Sequence, residues 1–72
     1  MARANSTLLP ALAYWRIHRY LSQERLAERI ATRRNPILRI EAGYPALVRT
    51  ARRLAEALEV QVGDLQRQPP DT

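Results

Sequence analysis

With 72 residues, a formal net charge of +5 and no cysteine, the chain has the length of one small domain and excludes disulfides and thiolate metal sites, as fits a reducing cytoplasm. No apolar run approaches the roughly 20 residues of a membrane-spanning helix, so no span is expected. All 12 basic residues are arginine, and so basic a small domain points first to nucleic acid, then to an acidic protein or membrane surface.

The N-terminal part predicts a disordered tail over residues 1–6 and a first helix over about residues 9–20. The tail is small, polar and without pattern, as chain ends often are. In the helix, Leu12 and Trp15 share one face and are expected to point inward. Pro10 would stand in the first turn, where its missing N–H costs little.

A helix-turn-helix is predicted between Ser22 and Gly43. Ser22 can cap a second helix over about residues 23–30, and Gly43 can end a third helix over about residues 34–42. Each helix carries apolar residues on one face, and the connection is short and polar, which is the pattern of two packed helices around a tight turn. The apolar residues are Leu26, Ala27 and Ile30 in helix 2 and Ile37 and Ile40 in helix 3.

Two more helices complete an all-α prediction. A fourth helix is expected over about residues 47–58, and a final short turn of helix would bring Val60 and Leu65 to the core. No stretch alternates with period two, so no strand is expected. The domain would span residues 7–66, and residues 67–72 would form a frayed tail. The apolar stripe of helix 4 consists of Val48, Ala51, Leu54, Ala55 and Leu58.

Basic and amide side chains open the predicted third helix, where Arg33, Arg34 and Asn35 follow one another. Arginine suits the N7 and O6 atoms of guanine, and asparagine suits N6 and N7 of adenine. Charged residues on a helix usually form a solvated face, but this position in a strongly basic chain favours contact with DNA.

An ordered set of residues between Leu12 and Leu65 resembles the phage repressor/Cro-type helix-turn-helix family, also called the XRE family. The resemblance implies a compact, five-helix, lambda-repressor-like DNA-binding domain whose third helix enters the major groove of double-stranded DNA. It also implies a homodimer on a pseudo-palindromic operator, acting as a repressor or autoregulator. The matching residues are Leu12, Arg16, Leu21, Ser22, Gln23, Leu26, Ala27, Ile37, Arg39 to Gly43, Leu54 to Leu58, Val60, Asp64 and Leu65.

The resemblance also implies roles for single residues. Gln23, at the start of helix 2, would contact a DNA phosphate, and the N–H groups of a helix N-terminus attract anions in any case. Arg16 and Glu41 would form a partly buried ion pair between helices 1 and 3, a scaffold contact whose loss from one side is costly. The other implied DNA-contacting positions are Arg33, Arg34, Asn35 and Arg39 on helix 3 and Arg49 just before helix 4.

Several positions depart from the family pattern. Ala31 stands where the turn usually has glycine, and a left-handed conformation there would cost on the order of 1 kcal/mol. Pro36 stands in the first turn of helix 3 and would require Asn35 to cap a late-starting helix, in which case Asn35 would not read a base. Leu38 replaces a small polar residue that faces DNA, and it could touch a thymine methyl or another protein. Tyr20 occupies a position that is often glycine.

Two functions remain open from these residues. The first is sequence-specific DNA binding by a small transcription regulator, in which Arg34, Asn35 and Arg39 read bases. The alternative is an antitoxin-like accessory module that keeps the fold and binds a protein partner through helix 3. Tyr44 and Leu47 fit either the turn and core or a dimer patch. DNA binding should weaken steeply as salt rises, whereas an apolar protein interface should be far less sensitive.

An enzyme is the least favoured class. One histidine, no cysteine and no carboxylate pair beside a nucleophile leave no catalytic set, and two glycines cannot supply a phosphate-cradling loop. We therefore expect no catalytic residue, no cofactor and no metal. The expected protein is cytoplasmic, without a membrane partner, and binds double-stranded DNA.

Overall fold

Five helices make up most of the computed structural model, which describes residues 5–70. Each helix expected from the sequence is present, so the all-α prediction is confirmed in its main part. The outer parts of the two predicted tails, residues 1–4 and 71–72, lie outside the described residues. The helices are α1 (Leu12–His18), α2 (Gln23–Arg29), α3 (Arg34–Glu41), α4 (Val48–Leu58) and α5 (Val62–Gln66).

Helix α1 is shorter than predicted because the residues on either side of it adopt other conformations and make other hydrogen bonds. At its start, the backbone N–H of Ala11 donates to the carbonyl of Leu65 at 3.1 Å, and the helix begins one residue later. Beyond its end, Tyr20 adopts a φ of 57°, which lies outside the right-handed helical region. The short helix still buries Leu12 completely and packs Trp15 against the core.

A two-residue antiparallel strand pair joins β1 (Ser6–Thr7) to β2 (Ala46–Leu47). The expectation of no strand is therefore wrong, because a pair of residues is too short to show a period-two pattern. Ser6, placed by the sequence in a disordered tail, belongs to this pair. The side chain of Gln66 donates to the Thr7 hydroxyl at 3.0 Å, which links the same segment to α5.

Most of the core consists of apolar side chains that the helical stripes predicted, but Val48 of the helix 4 stripe is only partly buried and lies outside the core cluster, and Val60 packs against that cluster without being fully buried. Every buried side chain in the described part of the chain is apolar. Leu9 and Ala46 lie outside the helices and join the same cluster, so the segments before α1 and α4 are anchored by burial as well as by hydrogen bonds. The largest fully buried residues are Leu9, Leu12, Leu26, Ile37, Leu54, Leu58 and Leu65.

Four helices are followed by a residue with left-handed backbone conformation, but only one of these residues is glycine. Gly43 has a φ of 112°. After α2 the N–H of Thr32 donates to the carbonyl of Ala27 at 2.9 Å, which is the long-range bond of a Schellman helix end. The turn thus keeps the expected geometry without glycine, at a cost on the order of 1 kcal/mol. The three non-glycine residues, with φ between 57° and 61°, are Tyr20, Ala31 and Glu59.

Candidate nucleic-acid interface

The exposed face of α3 is fixed by burial of its opposite face. Ile37 and Ile40 belong to the core cluster together with the apolar residues of α2. Since successive helical residues rotate by about 100° around the axis, the residues Asn35, Leu38 and Arg39 must face outward. All three are exposed, and Leu38 retains 40% of its accessible surface. The helix therefore presents a polar and basic row with one apolar side chain in it.

The start of α3 differs from the expected one. The helix begins at Arg34, and Arg33 is its extended N-cap residue with φ −104° and ψ 167°. Pro36 is therefore the third helical residue, whose backbone N–H would have no partner within a helix in any case. The expectation that Asn35 must cap the helix is wrong. Its amide, exposed beside the basic residues, is free of that role.

Arg16 and Glu41 form a two-pronged ion pair between α1 and α3. The Nε of Arg16 lies 2.6 Å from one carboxylate oxygen and its Nη2 lies 3.2 Å from the other. The third nitrogen, Nη1, donates to the carbonyl of Leu21 at 2.8 Å. The side chains are only 14% and 10% exposed, so this pair is a scaffold contact at the base of the helix-turn-helix.

Gln23 connects that ion pair to the start of α3. Its amide nitrogen donates to Oε1 of Glu41 at 2.9 Å, and its amide oxygen accepts from Nε of Arg34 at 3.2 Å. Gln23 is the first residue of α2 and Arg34 is the first residue of α3. Their hydrogen bond therefore links the N-terminal ends of these two helices. An amide has two N–H donors, and the second one can serve an acceptor outside the protein.

Two arginines near the start of α4 extend the basic surface. Arg49 and Arg52 are exposed and lie three residues apart, so they share one side of the helix. Together with Asn5 and Leu47 they line one surface hollow. Arg52 is not among the residues singled out from the sequence, although its three-residue spacing from Arg49 is a signal that indicates it.

A second hollow joins α3 to the first turn of α4. It is lined by Arg39 of α3, Tyr44 and Leu47 of the connection, and Thr50 of α4. Leu47 borders both hollows, so the two hollows adjoin each other. We refer to the exposed polar and basic residues of α3 and of the start of α4 together as the basic face, which consists of Arg33, Arg34, Asn35, Arg39, Arg49 and Arg52.

Two exposed arginines outside this set bind backbone carbonyls at helix ends. Nε of Arg19 donates to the carbonyl of Leu58 at 2.8 Å, and Nη2 of Arg53 donates to the carbonyl of Ile30 at 2.7 Å. Both carbonyls lie at helix C-termini, where cations are favourable. Arg19 and Arg53 thus bind carbonyls at helix ends and are separate from the arginines exposed on α3 and at the start of α4.

The basic face keeps its positive charge. Across residues 5–70 the ion pairs are Arg16–Glu41, Arg25–Glu28 and Arg67–Asp64. None of them includes a residue of the basic face, which is therefore suited to a polyanion. Residues 5–70 contain no group of three or more histidine and acidic side chains that could bind a metal. No helix found within the described range has the length and apolar character needed to cross a bilayer.

Comparison with known proteins agrees with this geometry. A family model described as helix-turn-helix matches residues 12–65, which includes all five helices except the last residue of α5. Neither the curated proteins nor the solved structures give a significant match to the chain. Because the family match covers most of the sequence, the chain belongs to the XRE-type helix-turn-helix family of DNA-binding domains.

Proposed function

We propose that this protein is a small cytoplasmic transcription regulator that binds a specific double-stranded DNA sequence with α3 in the major groove. The observation that carries the proposal is the exposed row of Arg34, Asn35 and Arg39 on a helix whose other face is locked into the core. A major groove admits one α-helix, and these side chains can reach base edges from it.

Base reading is assigned to the row on α3. Arg34 and Arg39 suit guanine, and Asn35 suits adenine, each pairing discriminating against a wrong base by about 1–3 kcal/mol. Because Asn35 does not cap the helix, its amide is available for this role. Leu38 adds an apolar contact that suits a thymine methyl.

Backbone contacts are assigned to the flanks. Gln23 offers its second amide N–H at the start of α2, and Arg33 stands at the N-cap of α3. Arg49 and Arg52 offer two further cations beside α3. Such phosphate contacts set the position of the helix in the groove without reading sequence.

A homodimer is the form that we propose for binding. One domain of this size covers few base pairs, and two copies related by a two-fold axis would place their α3 helices about 34 Å apart, one turn of DNA. The corresponding operator is an inverted repeat. A dimer bound to this operator would repress transcription by excluding other proteins from the DNA. One such operator would lie in the promoter of the protein's own gene, which makes the protein an autoregulator.

Selection from random duplex DNA tests the proposal. The wild-type protein should enrich an inverted repeat, and Arg34→Ala/Arg39→Ala should lose the enriched bases. Arg25→Ala/Arg29→Ala is the matched control, since it removes two exposed arginines from α2. An equal loss of the enriched bases in both double variants would mean that binding depends only on the net charge of the protein. The accessory-module alternative would be favoured if no DNA sequence is enriched and a protein partner binds the surface around Leu38.

A further inference from the structure

The end of α3 is built so that Arg39 and Tyr44 meet. The N–H of Tyr44 donates to the carbonyl of Arg39 at 3.0 Å, and the N–H of Gly43 donates to the carbonyl of Ile40 at 3.1 Å. With Gly43 at a φ of 112°, these are the two bonds of a Schellman motif. In that motif the side chains of the two residues joined by the longer bond come into contact, usually as an apolar pair.

In this chain the contact is a cation on an aromatic ring. The Cζ atom of Arg39 lies 4.7 Å from the centroid of the Tyr44 ring, within the range of a cation–π interaction. Tyr44 is 54% exposed, so the ring is not held there by burial. Arg39 and Tyr44 are therefore joined twice, by the backbone hydrogen bond at the helix end and by the contact between their side chains.

We propose that Tyr44 is a positioning residue for base reading by Arg39, an inference that rests on the proposed function. A guanidinium that lies flat on a ring contacts it through its face and leaves its edge N–H groups free. Those edge donors are the ones that a guanine accepts through O6 and N7. A stacked arginine is therefore partly ordered before DNA arrives, and less of its side-chain freedom is lost on binding.

A second stacked arginine shows the contrast. Arg19 lies over the ring of Trp15 at 5.8 Å, but its Nε is occupied by the carbonyl of Leu58. For Arg39, the described residues provide neither a side-chain hydrogen-bond acceptor nor an ion-pair partner. The ring holds Arg39 while its hydrogen-bonding edge stays available, as a reading side chain requires.

The test compares Tyr44→Leu and Tyr44→Phe in the full chain on the DNA that the wild type selects. Leucine keeps an apolar contact at the helix end but removes the π face, and phenylalanine keeps the face but removes the hydroxyl. Tyr44→Leu should weaken binding about two- to five-fold and flatten the same base preference that Arg39→Ala flattens. Tyr44→Phe should match the wild type in both respects.

A double-mutant cycle separates positioning from an independent contact. In an Arg39→Ala background, Tyr44→Leu should have no further effect on DNA affinity. An equal loss in both backgrounds, a loss shared by Tyr44→Phe, or an equal loss on scrambled DNA would overturn the proposal. Tyr44→Met provides the same test if the leucine variant lowers the melting temperature.

Two measurements distinguish failure of this inference from failure of the proposed function. In the DNA-free protein, NMR should show ring-current shifts of the Arg39 side-chain protons that disappear in Tyr44→Leu, and unshifted protons would count against the stack. A wild-type protein that selects no sequence contradicts the proposed function. A wild-type preference that survives unchanged in Tyr44→Leu contradicts the positioning role alone.

Discussion

Gln23 donates a hydrogen bond to Glu41 at 2.9 Å and thereby joins the first residue of α2 to the last residue of α3. Glu41 is held in turn by the guanidinium of Arg16, and the amide oxygen of Gln23 accepts from Arg34. The proposed base-reading residue Arg34 is thus connected through one amide to a scaffold contact that is nearly buried. Placement of α3 and stability of the domain therefore depend on the same side chains.

Replacing Gln23 should affect DNA binding more than folding. Gln23→Ala removes the proposed phosphate contact and the link to Arg34, and we expect affinity for the selected DNA to fall about ten-fold, as for one hydrogen bond to a charged group. Fluorescence anisotropy measures this loss, and thermal unfolding should shift by only a few degrees. Gln68→Ala, an exposed glutamine near the C-terminus, is the control. Unchanged affinity in Gln23→Ala would remove this residue from the interface.

Breaking the buried ion pair should destabilise the fold. Glu41→Ala leaves the Arg16 guanidinium, only 14% exposed in the native protein, without its carboxylate, and we expect the free energy of unfolding to fall by about 3 kcal/mol. Glu28→Ala breaks a 3.6 Å pair whose side chains are 68% and 71% exposed, and it should cost about 0.5 kcal/mol or less. Urea denaturation of both variants measures the difference, and similar midpoints would contradict the scaffold role.

Restoring a glycine in the turn should stabilise the protein. Ala31 has a φ of 58°, so Ala31→Gly relieves strain on the order of 1 kcal/mol and should raise the melting temperature by roughly 4–8 °C. Ala42→Gly is the control, because Ala42 ends α3 with an ordinary φ of −81° and gains nothing from glycine. Calorimetry gives both values. A lower melting temperature for Ala31→Gly would mean that the left-handed turn carries no strain.

Arg49 and Arg52 should contribute affinity without sequence preference. Each alanine variant should weaken binding to selected and scrambled duplexes by the same factor, because phosphate contacts carry no base information. Each should also reduce the slope of log affinity against log salt by about 0.9. Arg29→Ala, exposed at the end of α2, should leave the slope unchanged. A preference lost at one base pair would instead make Arg49 or Arg52 a base-reading residue.

The sequence predicted the features that depend on local patterns. Ser22 was expected to cap α2, and its hydroxyl accepts from the N–H of Arg25 at 3.0 Å. Spacing of apolar residues located the five helices, because each stripe is repeated over at least one turn. The family pattern singled out Arg16 and Glu41, whose contact the structure contains.

Features that depend on long-range geometry were not predictable from the sequence. Ser6 pairs with Leu47 across about forty residues, and a strand of two residues leaves no periodic trace. The expectation that Pro36 requires Asn35 as the helix cap is wrong because proline fits the third helical position as well as the first. The contact of Arg39 with the Tyr44 ring spans a helix end at which Gly43 is left-handed, and the spacing of the two residues alone does not specify it.

The central claim, sequence reading by α3, is tested most directly by comparing affinities for the selected duplex and a scrambled duplex of equal length across several salt concentrations. We expect the selected duplex to bind at least about 1,000-fold more tightly at physiological salt, with the advantage largely lost in Arg34→Ala/Arg39→Ala and kept in Arg25→Ala/Arg29→Ala. Equal affinity for the two duplexes at every salt concentration would contradict the account and reduce the basic face to a nonspecific polyanion-binding surface.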